Sequence, residues 1–199
     1  STWSNGTPVT AHDFEYSWKR TLTPETAAEY SYIMADIVGS STKEIQENGV
    51  DGVGVKALDD YTLEVKLNRP VAYFAELVSF QVFFPQNQAF VESCGDAYGS
   101  AADKQLYNGP FTLTSWKMED QFTMEKNPNY WDAANVKLNK INTKVVKDTG
   151  AEVSLYEDGQ IDRAILSSDY VDKYKDSKEL KTREVASIFM LQINGGNHK

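Results

Sequence analysis

The chain has 199 residues, of which 41% are apolar and 25% charged, a composition typical of a folded globular protein with one or two domains. Its 29 acidic and 20 basic residues give a net charge of −9, which argues against nucleic acid as a partner because the phosphates would be repelled. The single cysteine, Cys94, excludes an internal disulfide framework, and no apolar run is long enough for a membrane span.

The first predicted element is a helix that begins after Thr10. Thr10 is a natural N-cap residue, and Asp13 stands three positions later, as in a capping box. The apolar stripe of this helix, spaced by four residues, consists of Phe14, Trp18 and Leu22. Because Trp18 belongs to the stripe, we expect it to be a core residue rather than a ligand-stacking one.

Residues 25–47 are predicted to be a second helical region, with Tyr30, Ile33, Met34 and Ile37 at helical spacing. An antiparallel hairpin follows over residues 53–67, with its turn at Asp59-Asp60. The alternation predicts one buried face on the second strand, formed by Tyr61, Leu63, Val65 and Leu67. A further helix is expected after Arg69-Pro70.

The connection over residues 79–85, SFQVFFP, concentrates aromatic side chains outside any predicted strand or long helix. Aromatic residues in such a connection must either pack against the protein or bind something. One interpretation is that Phe83 and Phe84 fill the core; the other is that this connection faces a ligand. A helix is expected from Phe90, and we place a domain boundary near Gln105.

Residues 107–132, YNGPFTLTSWKMEDQFTMEKNPNYWD, are predicted to form a second hairpin. The breaker cluster Asn108-Gly109-Pro110 precedes an alternating run, residues 117–120 are polar enough to turn, and residues 121–126 alternate again. The sequence Asn127-Pro128-Asn129 then ends the second strand.

The rest of the chain is predicted to alternate strands and helices, as in an α/β layer. Strands are expected at residues 141–146, 161–166 and 185–194, and helices at residues 149–158 and 168–175. Thr149 and Glu152 suggest a capping box at the first of these helices. The apolar run over residues 185–194 is typical of a central strand that is buried on both faces.

No pattern in the sequence favours catalysis or metal binding. The two histidines, His12 and His198, have no second histidine at helical spacing, and no Gly-x-Ser-x-Gly elbow is present. Cys94 lacks an activating neighbourhood. We expect no enzyme activity, no metal site and no cofactor.

Three segments, in the same order, resemble the oligopeptide-binding proteins of bacteria, which are family 5 extracellular solute-binding proteins of peptide-importing ABC transporters. The first is WSNGTPVTAHDF at residues 3–14. The second combines NGPF at residues 108–111 with KNPNYWD at residues 126–132, and the third is YEDGQID at residues 156–162.

The resemblance implies a mixed α/β chain with part of a periplasmic-binding-protein type II-like fold. Residues 1–105 would form a small α+β lobe, and residues 106–199 the first part of the adjacent ligand-binding lobe. Members of the family are more than twice as long, so we expect a fragment of a longer protein.

The implied function is capture of oligopeptides in a cleft between lobes and their delivery to the subunits of an ABC permease. The implied protein is an extracytoplasmic monomer, either periplasmic or a cell-surface lipoprotein whose lipid anchor lies upstream of this chain. The ligand-facing side chains implied by the resemblance are Phe80, Gln81, Met190, Gln192 and Asn194. Two alternatives stay open: a family member that binds nickel, a sugar or haem, and a surface interaction domain without a transport role.

Overall fold

The computed structural model describes residues 1–185 and residue 190. The chain divides into two compact units, Ser1–Val145 and a second unit that begins at Val146. The helices are α1 (Ala11–Leu22), α2 (Thr42–Asn48), α3 (Phe74–Leu77), α4 (Gln88–Cys94), α5 (Thr149–Glu157) and α6 (Ser168–Tyr174). The strands are β1 (Val55–Asp59), β2 (Thr62–Val65), β3 (Phe111–Lys117), β4 (Gln121–Lys126) and β5 (Lys140–Lys144). Among the described residues, no helix has the length and apolar character that crossing a membrane requires.

Helix α1 begins where the sequence predicts, after Thr10. The buried carboxylate of Asp13 accepts hydrogen bonds from the Thr10 backbone N–H at 2.8 Å and from Trp3 Nε1 at 3.1 Å. Both bonds satisfy donors at the start of the helix and offset the cost of burying the charge. Trp18 and Leu22 are buried, as their place in the apolar stripe predicts.

The core of the first unit lies between α1 and the antiparallel hairpin β1–β2. The strands pair in the register Val55↔Val65 and Ala57↔Leu63. The buried core cluster consists of Trp18, Leu22, Met34, Ile37, Ile45, Val53, Val55 and Phe83. Tyr61, predicted on the buried face, is instead 86% exposed because it lies at the hairpin turn, beyond the edge of the core.

Glu15 joins α1 to β1. One carboxylate oxygen accepts a hydrogen bond from Lys19 Nζ at 2.8 Å and the other accepts one from the Ala57 N–H at 2.8 Å. Burial acts to raise the pKa of the Glu15 carboxyl, but the hydrogen bonds from Lys19 and Ala57 outweigh it, so the pKa is lowered.

We expect a Glu15→Gln variant to lose about 0.5–1 kcal/mol of stability at pH 7, since it keeps an acceptor for Ala57 but loses the ion pair. A carboxyl with a lowered pKa stabilises the fold above its unfolded-state pKa of about 4.3, and the gain disappears as the pH falls through the folded-state value. The difference between variant and wild type should therefore shrink as the pH falls below about 4.3 and disappear once the carboxyl is protonated in the folded state. Urea unfolding at several pH values measures it, with Glu64→Gln as the control because the Lys66–Glu64 pair is exposed. A difference that persists at low pH would contradict the ion-pair explanation.

The predicted second hairpin is confirmed, and it is part of a sheet with the order β3-β4-β5. Asn127 is buried at its end and donates from Nδ2 to the Gly109 carbonyl at 2.9 Å, so the two breaker clusters that flank the hairpin are hydrogen-bonded to each other. Asn129 Nδ2 donates to the Ser4 carbonyl at 3.0 Å. Two of the segments that carry the family resemblance therefore meet in space.

Several local predictions were wrong. Residues 25–47 do not form one helical region: they contain 3₁₀ turns at Pro24–Thr26 and Ser31–Met34 before α2. The left-handed backbone of Ala27, at φ 48°, ends the first turn. The N-cap of α5 is Asp148, whose side chain accepts from the Ala151 N–H, rather than Thr149.

The strand predicted over residues 161–166 was also wrong. Between Val146 and Val185 the structure contains α5 and α6 but no strand, so that part of the chain does not alternate strands and helices. A strand needs a neighbour for its backbone hydrogen bonds, and no described segment supplies one there. Apart from residues 185 and 190, the strand predicted over residues 185–194 lies outside the described residues.

The compact units divide at Val145, so β3, β4 and β5 belong to the first unit. Compactness does not by itself identify the lobes of a longer protein. The predicted lobes, residues 1–105 and 106–199, therefore stay a prediction.

Candidate functional site

Three exposed aromatic rings lie together on the first unit. Phe80 contacts Tyr30 with ring centroids 5.5 Å apart in an edge-on arrangement, and Tyr30 lies 6.1 Å from Tyr32. The exposed fractions are 36% for Phe80, 47% for Tyr30 and 68% for Tyr32. We call these three residues the aromatic cluster. Exposed rings grouped in this way offer a surface on which apolar side chains can pack.

Buried residues on the C-terminal side hold Tyr30 and Tyr32 at the surface. Met34 and Ile37 are fully buried, and Ile37 also forms a β-bridge with Leu67. The 3₁₀ turn Ser31–Met34 follows Tyr30, contains Tyr32 and ends at the buried Met34, so the tyrosines project from a short, fixed turn.

Phe80 is held from the opposite side by a 3₁₀ turn, Gln81–Phe83. Phe83 is buried and packs edge-on against Trp18 at 5.0 Å, and its carbonyl accepts a hydrogen bond from Trp18 Nε1 at 2.8 Å. The side chain of Gln81 is exposed next to Phe80. Of the two residues proposed to fill the core, Phe83 does so and Phe84 does not, because Phe84 is 54% exposed.

Asp36 links the two segments that carry the cluster. Its carboxylate accepts hydrogen bonds from Arg69 Nε at 3.0 Å and from the Tyr73 hydroxyl at 3.3 Å. The second guanidinium nitrogen of Arg69 lies 2.9 Å from the same carboxylate, and this hydrogen bonding raises the pKa of Arg69 above its ordinary value. Asn68 adds a backbone hydrogen bond to the Asp36 carbonyl at 2.9 Å. We call Asp36, Arg69 and Tyr73 the Asp36 latch.

The chemistry of the cluster suits binding rather than catalysis. It contains two phenols and a phenyl ring, whose faces and edges favour packing against apolar groups. Within residues 1–185 and residue 190, no group of histidine, cysteine, aspartate and glutamate side chains is placed to hold a metal ion.

The second unit contains a separate concavity of about 850 Å³, lined by tyrosine, aliphatic and charged side chains that include Tyr156, Leu180 and Arg183. Of the ligand-facing residues implied by the resemblance, the structure describes Phe80, Gln81 and Met190, and none of these three lines it. Met190 is 78% exposed. Gln192 and Asn194 lie outside the described residues.

The resemblance names Phe80 as ligand-facing, which stays a prediction, and it does not identify the ring partners of Phe80. Tyr30 was assigned to a helix face together with Ile33 and Met34, and Tyr32 was not considered. No local pattern pairs Tyr30 with Phe80, because the two residues are fifty positions apart in the sequence.

Comparison with known proteins gives a consistent result. Residues 1–198 match the family model described as bacterial extracellular solute-binding proteins, family 5 Middle. The oligopeptide-binding protein OppA of Bacillus subtilis is 36% identical over 197 residues, which are 96% of this chain and 36% of that protein.

Solved structures agree with the family match. The substrate-binding domain of an oligopeptide ABC transporter from Bacillus anthracis is 47% identical, with a TM-score of 0.85 over 89% of this chain and 34% of that one. Listeria monocytogenes OppA bound to peptide is 44% identical, with a TM-score of 0.84 over 89% of this chain and 35% of that one. The chain therefore spans 34–36% of the length of these relatives.

Proposed function

The chain belongs to family 5 of the bacterial extracellular solute-binding proteins, and from this premise we propose that it forms part of a protein that captures oligopeptides for import. The observation that carries the proposal is the likeness along most of the chain to a relative whose structure holds a peptide. The whole protein would work outside the cytoplasm, as a monomer without enzyme activity, and would deliver its ligand to ABC permease subunits. The protein would either be attached to the membrane by a lipid anchor or be free in the periplasm.

The aromatic cluster would contribute one wall of the peptide site. Its three rings can pack against aromatic and large aliphatic side chains of the ligand. Main-chain hydrogen bonds to an extended peptide, together with the charged groups that meet its ends, would come from other parts of the full-length protein. Met190, Gln192 and Asn194 stay candidates for that contribution. Closure of the lobes would then bury the peptide.

Calorimetric titration of the full-length protein with a mixture of short peptides tests this function. We expect saturable binding at micromolar concentration or tighter, and little or no heat from the 199-residue chain alone, because most of the site would be missing. Nickel ions, disaccharides and haem are titrated separately as alternative ligands. Binding of one of these in place of peptides would overturn the proposal in favour of another member of the same family.

A Phe80→Ala variant of the full-length protein should bind peptides with aromatic or large aliphatic side chains about threefold to tenfold more weakly, since an aromatic contact contributes about 0.5–1.5 kcal/mol. The stability of the fold should change little because the ring is partly exposed. The matched control is Tyr61→Ala, which removes an exposed ring from the β1–β2 turn. Equal losses of affinity in both variants, measured by titration, would exclude a specific role for the cluster.

A further inference from the structure

We propose that the Asp36 latch determines which ligand side chains the aromatic cluster accepts, an inference that rests on the proposed function. Asp36, Arg69 and Tyr73 would act as positioning residues, which orient the rings without touching the ligand. The effect would be a preference for peptides that carry an aromatic side chain.

The argument begins with how the two segments of the site are joined. Tyr30 and Asp36 lie six positions apart on one segment, and Tyr73 and Phe80 lie seven positions apart on the other. The two segments are joined at two places: by the ring contact between Tyr30 and Phe80, and by the latch, in which Asp36 accepts a hydrogen bond from Tyr73. The relative position of the two rings is therefore fixed by contacts on both sides.

The latch is the more directional of the two connections. A guanidinium contributes two nitrogens to one carboxylate in a fixed plane, and the Tyr73 hydroxyl occupies the other oxygen. The Asp36 side chain is only 18% exposed, so its hydrogen bonds are partly shielded from water. An edge-on contact between two exposed rings tolerates more sliding than this arrangement does.

Asn68, which precedes Arg69, adds further hydrogen bonds between the two segments that the latch joins. Its side-chain amide donates to the carbonyls of Ala35 and Ile37 at 3.3 and 3.2 Å, on either side of Asp36. The backbone around Asp36 thereby stays attached to the second segment when the carboxylate is lost. Loss of the carboxylate should consequently let the turn that carries the tyrosines open locally more often and release the rings, while the rest of the fold persists, which makes a substitution at Asp36 informative.

The test uses the full-length protein with Asp36→Asn and Tyr73→Phe, and Glu64→Gln as the control, because that carboxylate also pairs with a neighbouring cation on the surface. The probes are trialanine and the three tripeptides in which one alanine is replaced by phenylalanine. We expect the wild type to prefer at least one phenylalanine probe by about tenfold, and Asp36→Asn to reduce that preference to about twofold. Trialanine affinity and the binding stoichiometry should stay unchanged, whereas simple destabilisation would lower the stoichiometry for all probes.

A second measurement does not depend on a ligand. Hydrogen exchange of the amides in residues 30–36 should accelerate at least about tenfold in Asp36→Asn and stay unchanged in Glu64→Gln. Unchanged exchange in Asp36→Asn overturns the inference, whether or not a peptide binds. Absence of peptide binding to the wild type would overturn the proposed function. Peptide binding with the same preference in Asp36→Asn and wild type overturns the inference while leaving the proposed function intact.

Discussion

Replacement of Phe83 by alanine should lower the free energy of unfolding of the first unit by about 3–5 kcal/mol. The phenyl ring is 1% exposed and contacts Trp18 and Phe74 edge-on, at centroid distances of 5.0 and 6.1 Å. Its removal leaves a cavity between α1 and the 3₁₀ turn that carries the residue. The cavity is costly because the Trp18 ring cannot move into it without stretching its hydrogen bond to the residue 83 carbonyl.

The control for this prediction is the adjacent residue. Phe84 has the same side chain but is 54% exposed, so Phe84→Ala should cost less than about 1 kcal/mol. Urea unfolding followed by tryptophan fluorescence and by far-ultraviolet circular dichroism would measure both variants. Similar losses in the two variants would show that Phe83 is not the aromatic residue on which this part of the core depends.

This pair of residues also shows where prediction from the sequence ends. The run SFQVFFP leaves open which of its aromatic side chains pack in the core and which face outward, because the choice depends on the 3₁₀ turn Gln81–Phe83. That turn directs Phe83 inward and leaves Phe80 and Phe84 at the surface. No periodic pattern exists over so short a segment from which the directions could be read.

The elements that were predicted correctly depend on local signals. Helix α1 has an N-cap, an apolar stripe and a proline after its end, and the β3–β4 hairpin has two alternating runs between breaker clusters. Residues 161–166, IDRAIL, have a weaker strand pattern, with Asp162 and Ala164 among residue types that strands disfavour, and strand formation also requires a pairing partner, which the residue types alone do not provide. The aromatic cluster could not be predicted from the sequence for a related reason: Tyr30 and Phe80 are fifty positions apart, and only the fold brings them together.

The sequence-level candidates for ligand binding came from the family resemblance rather than from residue patterns. Phe80 and Gln81 are exposed, as a ligand-facing role requires, although exposure does not establish that role. The Asp36 latch had no signal in the sequence. Its acid and its cation are 33 positions apart, and each has many possible partners in a chain that is one-quarter charged.

A Gly39→Ala variant should lose about 3 kcal/mol of stability, because two separate costs add at this position. The first is conformational, since Gly39 has a φ of 74°, a left-handed value that a residue with a Cβ adopts only at a cost. The second is steric, since a Cβ at Gly39 would lie 2.3 Å from the Gly52 carbonyl oxygen. That oxygen belongs to the backbone, so it cannot rotate away as the end of a flexible side chain would.

Relief of this contact would require the segment around Gly39 to move away from the hairpin. Val38 donates to the Lys66 carbonyl at 2.9 Å and accepts from the Gly54 N–H at 2.7 Å, so both hydrogen bonds would be strained. Ile37, which is fully buried next to them, would begin to be exposed. Gly6→Ala is the control, because Gly6 has a φ of 87° but no atom within 4 Å of the added Cβ, and it should cost only about 1–2 kcal/mol. Urea denaturation of both variants separates the two costs, and equal losses would show that the contact with Gly52 contributes nothing beyond backbone conformation.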